Sequence, residues 1–335
     1  MILLEPSGLL DGPAAAEALA EGRAMPLQGG PLAFLALRDA EGHARPAREA
    51  PPALTEPPAP FAGIPRHAGR PLVMGIVNCT PDSFSGDGLG AAHAAAIAQG
   101  EAMLAEGADL LDIGGESTRP GAATVTPAEE QARILPVIRA LASRAPVSVD
   151  TRHAATMRAA LDAGARIVND VSALAFDPES LATVAAAGCP AVLMHMRTLD
   201  PRTMQQDIWY EDAPREVAAH LARRIAACEA AGIPRARLAV DPGIGFGKRI
   251  EDNLALIARL PLLASLGCTI LVGASRKGFI GRITGAEAPA ARLAGSLAVA
   301  LEAARRGAHI LRVHDVRATV EALRMQEALR LGVAA

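Results

Sequence analysis

Residues 72–78, Leu72-Val73-Met74-Gly75-Ile76-Val77-Asn78, run through apolar and glycine positions into a single amide. That length and content suit a buried strand over 72–77, with Asn78 following it as a polar edge. The same form returns at 109–113, 146–149, 166–169, 190–194, 238–241, 269–273 and 308–313. Between these runs lie Ala-, Leu- and Arg-rich segments of helical period, near 91–106, 127–144, 152–163, 178–187, 211–231, 252–265, 287–306 and 315–331. Eight strand-then-helix units in succession predict the α/β class and a (β/α)8 TIM barrel, because an open doubly wound sheet usually has fewer strands. No fixed-period repeat points to a solenoid.

Working outward, residues 1–70 form an N-terminal extension before a barrel domain expected over 71–335. The extension holds Ala-rich helix-like text and a short strand candidate at 31–37. From Pro46 to Pro65 it becomes proline-rich, with Pro51-Pro52 and Pro57-Pro58, which resists helix and central strand alike and is expected as a linker or wrapping arm. The whole chain is 50% hydrophobic but only 2% aromatic, so its core must be built from branched aliphatics and alanine, which suits buried parallel strands. A formal charge of -3, one Trp and one Tyr supply neither a basic field nor a stacking platform, so nucleic acid is not expected as a partner. No apolar run is long enough to span a bilayer and none resembles a signal peptide, so no membrane association and a cytoplasmic location are expected. Cys79, Cys189, Cys228 and Cys268 stand singly and read as free thiols.

The strand ends carry the chemistry. Asn78, Gly114 to Arg119, Asp150, Asn169-Asp170, His195, Asp241, Gly273 to Lys277, and Arg312 with His314 each follow an apolar run. In a barrel these ends converge on one face. Taken singly, Asp150 or Asp241 could be a helix cap, Gly243 and Gly273 could serve turns, and His195 could be a satisfied buried histidine. Capping does not call for Asn, Arg, His and Lys on one rim. Lys277, Arg312, His314 and Asn78 could bind a polyanion, and Asp150 with Asp241 could accept from an N–H-rich ring, so a heteroaromatic phosphate ester suits both halves.

Met74 to Ser85, MGIVNCTPDSFS, and Asp112 to Gly121, DIGGESTRPG, resemble the two signatures of the dihydropteroate synthases. SVDT at 148–151, VNDV at 168–171, LMHM at 193–196, DPGIGFGK at 241–248, GASRKGFIG at 273–281 and RVHDV at 312–316 follow in that family's order. The resemblance covers about residues 72–330. It implies a transferase of folate biosynthesis, a sulfonamide target, that condenses a dihydropterin diphosphate with 4-aminobenzoate and releases diphosphate.

Position by position, the resemblance implies pterin binding by Asp150, Asn169, Asp241 and Lys277. It implies diphosphate binding by Asn78, Thr118, Arg312 and His314, with Asn78 as the protein ligand to Mg²⁺. For 4-aminobenzoate it implies Thr118, Arg119, Pro120, Phe84, Phe246, Ser275 and Lys277, with Phe246 covering the ring and Ser275 and the helix beyond it holding the carboxylate. Lys277, Arg312, His314 and Asp150 are the expected catalytic group, a buried lysine–carboxylate pair would keep both members ionised, and the family implies a homodimer. Two departures stand out: Arg197-Thr198-Leu199-Asp200 replaces the usual glycine-containing turn, and Ser85-Gly86-Asp87-Gly88 reorders the end of the first signature. A methyl-transferring pterin barrel would have no use for the R-V-H and S-R-K sites. A non-catalytic pterin-binding paralogue, or a Schiff-base lyase working through Lys277, would be separated by assay.

Overall fold

A computed structural model describes residues 3–67, 69–80, 89–117, 125–198 and 208–332. The chain begins with β1 (Glu5–Leu10), α1 (Gly12–Ala20), β2 (Met25–Pro26), β3 (Ala33–Arg38) and β4 (Ala44–Pro46), which form an antiparallel sheet with β3 pairing all three other strands. Ala33, Phe34 and Leu37 of β3 are buried, which accounts for the apolar run at 31–37. β1, EPSGLL, carries proline and glycine and reads as loop in sequence; its pairing with β3 overrides that local preference. A short α2 (Pro52–Thr55) lies within the proline-rich stretch.

The barrel follows: β5 (Leu72–Asn78), α3 (Leu89–Ala105), β6 (Leu110–Gly114), α4 (Pro127–Leu141), β7 (Val147–Asp150), α5 (Ala154–Asp162), β8 (Ile167–Asp170), α6 (Ser180–Ala187), β9 (Ala191–Met194), α7 (Ala213–Ala230), β10 (Leu238–Asp241), α8 (Ile250–Ala258), β11 (Thr269–Val272), α9 (Gly278–Thr284), α10 (Leu293–Arg305), β12 (Ile310–Val313) and α11 (Val316–Leu331). β5 to β12 are parallel, each beside its successor, and β12 closes on β5 with Arg312 opposite Met74. The fold is the (β/α)8 barrel expected from the sequence.

Two helices depart from their expected spans for local reasons. The 252–265 segment is helical only to Ala258 and continues as a 3₁₀ turn, Leu260–Leu266, because Pro261 has no N–H and its ring obstructs the preceding turn. The 287–306 segment opens with a 3₁₀ turn, Pro289–Arg292, before α10, while α9 is an additional helix after β11. By contrast α4 starts where its sequence dictates. Thr126 and Glu129 form a reciprocal capping box and Pro127 occupies the first turn, where its missing N–H costs nothing.

The extension fastens to the barrel by named contacts. Arg259 bridges Glu5 at 2.7 Å and Asp212 at 2.9 Å, and the Leu4 amide donates to Ser265 Oγ at 3.1 Å. Gly12 (φ +55°) lets α1 meet α11, since a Cβ there would stand 2.5 Å from the Arg330 carbonyl. Phe61 and Ile64 join Leu72, Met74, Leu110, Ile167, Val192, Ala239, Leu271 and Ile310 in one cluster, so the extension plugs the floor of the barrel lumen. All four cysteines are free and buried, and burial pushes the Cys79 thiol up to about 12. Among the described residues no helix is long and apolar enough to cross a membrane.

Candidate active site

Alternation along the strands builds the site. Side chains two apart in a strand share a face, so the positions two residues beyond Leu110, Ile167, Ala239 and Ile310 of the apolar lumen layer also point into the lumen. Those positions are Asp112, Asn169, Asp241 and Arg312; Asp150 joins them from β7, whose inward series is Ser148 and Asp150. The lumen is thus apolar at its floor and charged one layer higher, at the C-terminal rim.

Arg312 is the hub. Its Nε donates to Asp112 Oδ2 at 2.6 Å and its Nη2 to Asp150 Oδ2 at 2.7 Å, while Asn169 Nδ2 donates to the same Asp112 oxygen at 3.0 Å. Burial acts against the guanidinium charge, but the two carboxylates outweigh it and hold Arg312 firmly cationic. Burial pushes the Asp150 carboxyl up to about 7 despite Arg312, with repulsion from Asp112 adding to the shift. Asp112 is wholly buried, and its Oδ1 has no hydrogen-bond partner among the described residues. Asp241, also raised by burial, accepts from the Gly243 amide at 2.7 Å, and the neighbouring Lys277, Arg312 and Lys248 favour its charged form.

The loop after β10 is shaped by a lysine that sequence reasoning passed over. Buried Lys248 donates to the carbonyls of Gly243 at 2.9 Å, Phe246 at 3.0 Å and His195 at 3.3 Å, and lies 3.0 Å from His195 Nδ1. Burial lowers its ammonium to about 7 and, with the charge of Lys248, lowers His195 to about 2, leaving that imidazole neutral. Gly243 (φ +67°) is obligatory, since a Cβ there would fall 2.0 Å from the His195 carbonyl. The loop carries Phe246, whose ring lies 4.0 Å beneath the Lys277 ammonium. Lys277 therefore rests on an aromatic face while remaining near enough to Asp241 to act on its charge. Phe246 also joins Val171, Met194 and Met196 in a small apolar cluster beside the charged layer.

Ser275 and His314, expected to serve different substrates, touch: Ser275 Oγ accepts from the His314 amide at 3.3 Å and lies 3.1 Å from its Nδ1. Burial and then Arg312 lower His314 to about 3, so it meets an anion as a neutral donor. Arg276, strained at φ +59°, pairs with Asp315 at 2.5 and 3.0 Å and fixes the turn before Lys277. Asp170 is a turn residue, accepting from the Ser172 amide and hydroxyl and from the Leu174 amide. Arg152 clamps Glu116 through two bonds of 2.9 and 3.0 Å at the start of the second loop.

Asn78 is half-buried at the end of β5, beside Gly114 of β6, and its side-chain amide makes no hydrogen bond among the described residues. It offers one hard oxygen donor, which fits an Mg²⁺ ion that keeps phosphate oxygens and water as its other ligands. Phe84, Thr118, Arg119 and Pro120 lie outside the described residues, as do most of the replaced turn after Arg197 and the reordered end of the first signature. Asp112 and Lys248 lie inside the motifs, where sequence reasoning alone does not mark them as site residues; the parity of Asp112 with Leu110 is the signal that could have found it.

Comparison with known proteins bears on this rim. Residues 74–314 match the family described as pterin binding enzyme. The chain is 46% identical over 261 residues to the dihydropteroate synthase of Escherichia coli K12, covering 77% of this chain and 92% of that one. It resembles a solved Xanthomonas albilineans dihydropteroate synthase with 4-aminobenzoic acid, at 52% identity and a TM-score of 0.73, over 78% of this chain and 93% of the other. A second structure from that organism, in complex with 7,8-dihydropteroate, is 48% identical with a TM-score of 0.72, over 80% and 97% of the two chains.

Proposed function

On the premise that the chain belongs to the pterin-binding enzymes and, among them, to the dihydropteroate synthases, we propose how its rim carries out their reaction. The protein is a transferase that condenses (7,8-dihydropterin-6-yl)methyl diphosphate with 4-aminobenzoate to give 7,8-dihydropteroate and diphosphate. The observation that carries our reading is the charged layer stacked directly on the apolar lumen, with Arg312 shared between Asp112 and Asp150.

A pterin presents amino and ring N–H groups on one edge and oxo and imine acceptors on another. Asp150 and Asp241 take the N–H groups, Lys277 donates to the acceptors, and Asn169 serves either need. Val171, Met194 and Met196 give the flat ring an apolar face. Arg312 has spent one N–H on each of two carboxylates and retains others for the diphosphate, alongside the neutral His314, Thr118 and Asn78. Asn78 would hold an Mg²⁺ ion, which would offset the charge of the leaving diphosphate.

The methylene C–O bond breaks with its electron pair leaving on diphosphate, the electron-rich ring supports the cation, the aromatic amine forms the C–N bond, and its proton passes to solvent. Because Asp150 and Asp241 sit where charge develops, the acceleration is electrostatic and needs no covalent intermediate. Phe246 covers the aminobenzoate ring, with Thr118, Arg119, Pro120 and Phe84 completing the second subsite and Ser275 and Lys277 near its carboxylate. The same reading includes a cytoplasmic homodimer, the location supported by four separately buried free thiols. Diphosphate release, measured with and without 4-aminobenzoate and with dihydropteroate identified by mass, tests the reaction; pterin binding without turnover would overturn it.

A further inference from the structure

The face of the barrel opposite the rim holds a cavity of about 670 Å³, bounded by the first residues of β5 and β12, the extension and α11. Phe61, Leu72 and Ile310 supply an apolar floor, and Met325 and Leu329 of α11, 57% and 72% exposed, an apolar wall. The size falls within the range of small-molecule sites, which are mostly apolar with a few polar groups converging.

Most basic side chains around it already have carboxylate partners. Arg70 pairs with Asp109 at 2.9 Å, His67 with the same Asp109 at 2.7 Å, and Arg305 with Asp11 at 3.5 Å. Arg66 differs: among the described residues its one hydrogen bond is a 3.5 Å contact to the Pro58 carbonyl, and it has no acidic partner. His309 adds a directed donor, because its Nδ1 accepts from the Ile270 amide at 2.9 Å, which puts the ring proton on Nε2. Burial and the nearby Arg66 keep that imidazole neutral.

We propose that this cavity is a second ligand site, for an amphipathic monocarboxylate whose head meets Arg66 and the His309 Nε2–H and whose apolar body lies between Phe61 and the Met325–Leu329 wall. Arg330 faces Glu327 at 4.0 Å, so Arg66 is the one lining arginine without a carboxylate among the described residues, and with the predominance of apolar lining it selects one negative charge on a hydrocarbon body over a phosphate. Arg66 and Phe61 belong to the extension, whereas His309 and α11 belong to the barrel. The ligand therefore bridges the two and stabilises the docked extension by mass action.

The test uses the full chain, titrated calorimetrically with octanoate, 1-octanol and inorganic phosphate and followed by thermal unfolding, in the wild type, Arg66→Met and Leu329→Glu. Both variants change exposed side chains. Saturable 1:1 binding of octanoate with a raised Tm is expected. Arg66→Met should weaken it by about tenfold or more, as loss of a charge-assisted hydrogen bond implies, and Leu329→Glu should weaken it too, with turnover unchanged in both. The proposal fails if octanoate does not saturate, if 1-octanol binds equally well, if phosphate alone binds as tightly, or if Arg66→Met binds like wild type. Displacement of octanoate by 4-aminobenzoate would move it to the rim and also overturn the proposal.

Discussion

Replacing Arg312 by Ala removes one cation from two carboxylates, and its effect should depend on pH in a direction that can be worked out. Taking away one partner of a buried ion pair costs about 3–5 kcal/mol when the remaining charge cannot escape. Asp150 can escape by protonation, since burial already raises it to about 7 with Arg312 in place, and its folded pKa rises further without that cation. A carboxyl raised above its unfolded value binds more protons in the native state, so stability falls as pH rises through the shifted window. Wild type and variant share that loss below about 7. Above it the variant keeps losing, by at most about 1.4 kcal/mol per pH unit. Asp112, wholly buried, also loses its cation, so we expect a stability loss already present near pH 6 that widens by pH 8.5, read from urea unfolding at both values. Turnover should fall by about 10²–10³-fold, as for loss of a single charge-stabilising donor, with the circular dichroism spectrum retained. Near wild-type diphosphate release, or a stability gap that closes as pH rises, would refute the reasoning.

Lys248→Met should loosen the loop that carries Phe246, raising KM for 4-aminobenzoate by about tenfold through misplacement and lowering kcat less. In the wild type the unfolded lysine binds more protons than the native one between about pH 7 and its ordinary value, so Tm should gain with pH in that window, a gain missing from the variant. Gly243→Ala should abolish soluble expression or lower Tm severely, whereas Gly232→Ala, at φ +89° with nothing within 4 Å, should cost only about 1–2 kcal/mol in chemical denaturation. Phe61→Ala should destabilise by about 3–5 kcal/mol, the cost of emptying a core aromatic site, with KM values unchanged; altered KM would show that floor and rim are coupled.

The barrel was legible because nearly every strand is an apolar run followed by polar or glycine residues, so strand positions such as 72–77 and 238–241 stand out without knowledge of their neighbours. The extension was less so. β1 contains Pro6 and Gly8, and β4 is three exposed residues, so only pairing with β3 makes them strands. Asn169, Asp241 and Lys277 stand at strand ends or in loops, and Arg312 stands two residues before His314 at the close of the last run, where the pattern draws attention to them. Asp112 hides because it sits within the β6 run with apolar residues on both sides, and its purpose appears only when β6 stands near Arg312, 200 residues away. Lys248 hides because its partners are mostly backbone carbonyls, which leave no mark in sequence.

The plug formed by Phe61 and Ile64 also orders the protein in time. It is made of residues that leave the ribosome before the barrel does, yet the floor it fills is bounded by Leu271 and Ile310, and its sheet is tied down by Arg259 and Ser265, all synthesised upwards of about two hundred residues later. Such contacts, spanning 254 and 261 positions, close long loops and form late. Until β12 exists, the nascent extension carries two large apolar side chains with nowhere to bury them. Docking of the extension therefore reports that synthesis of the barrel is finished.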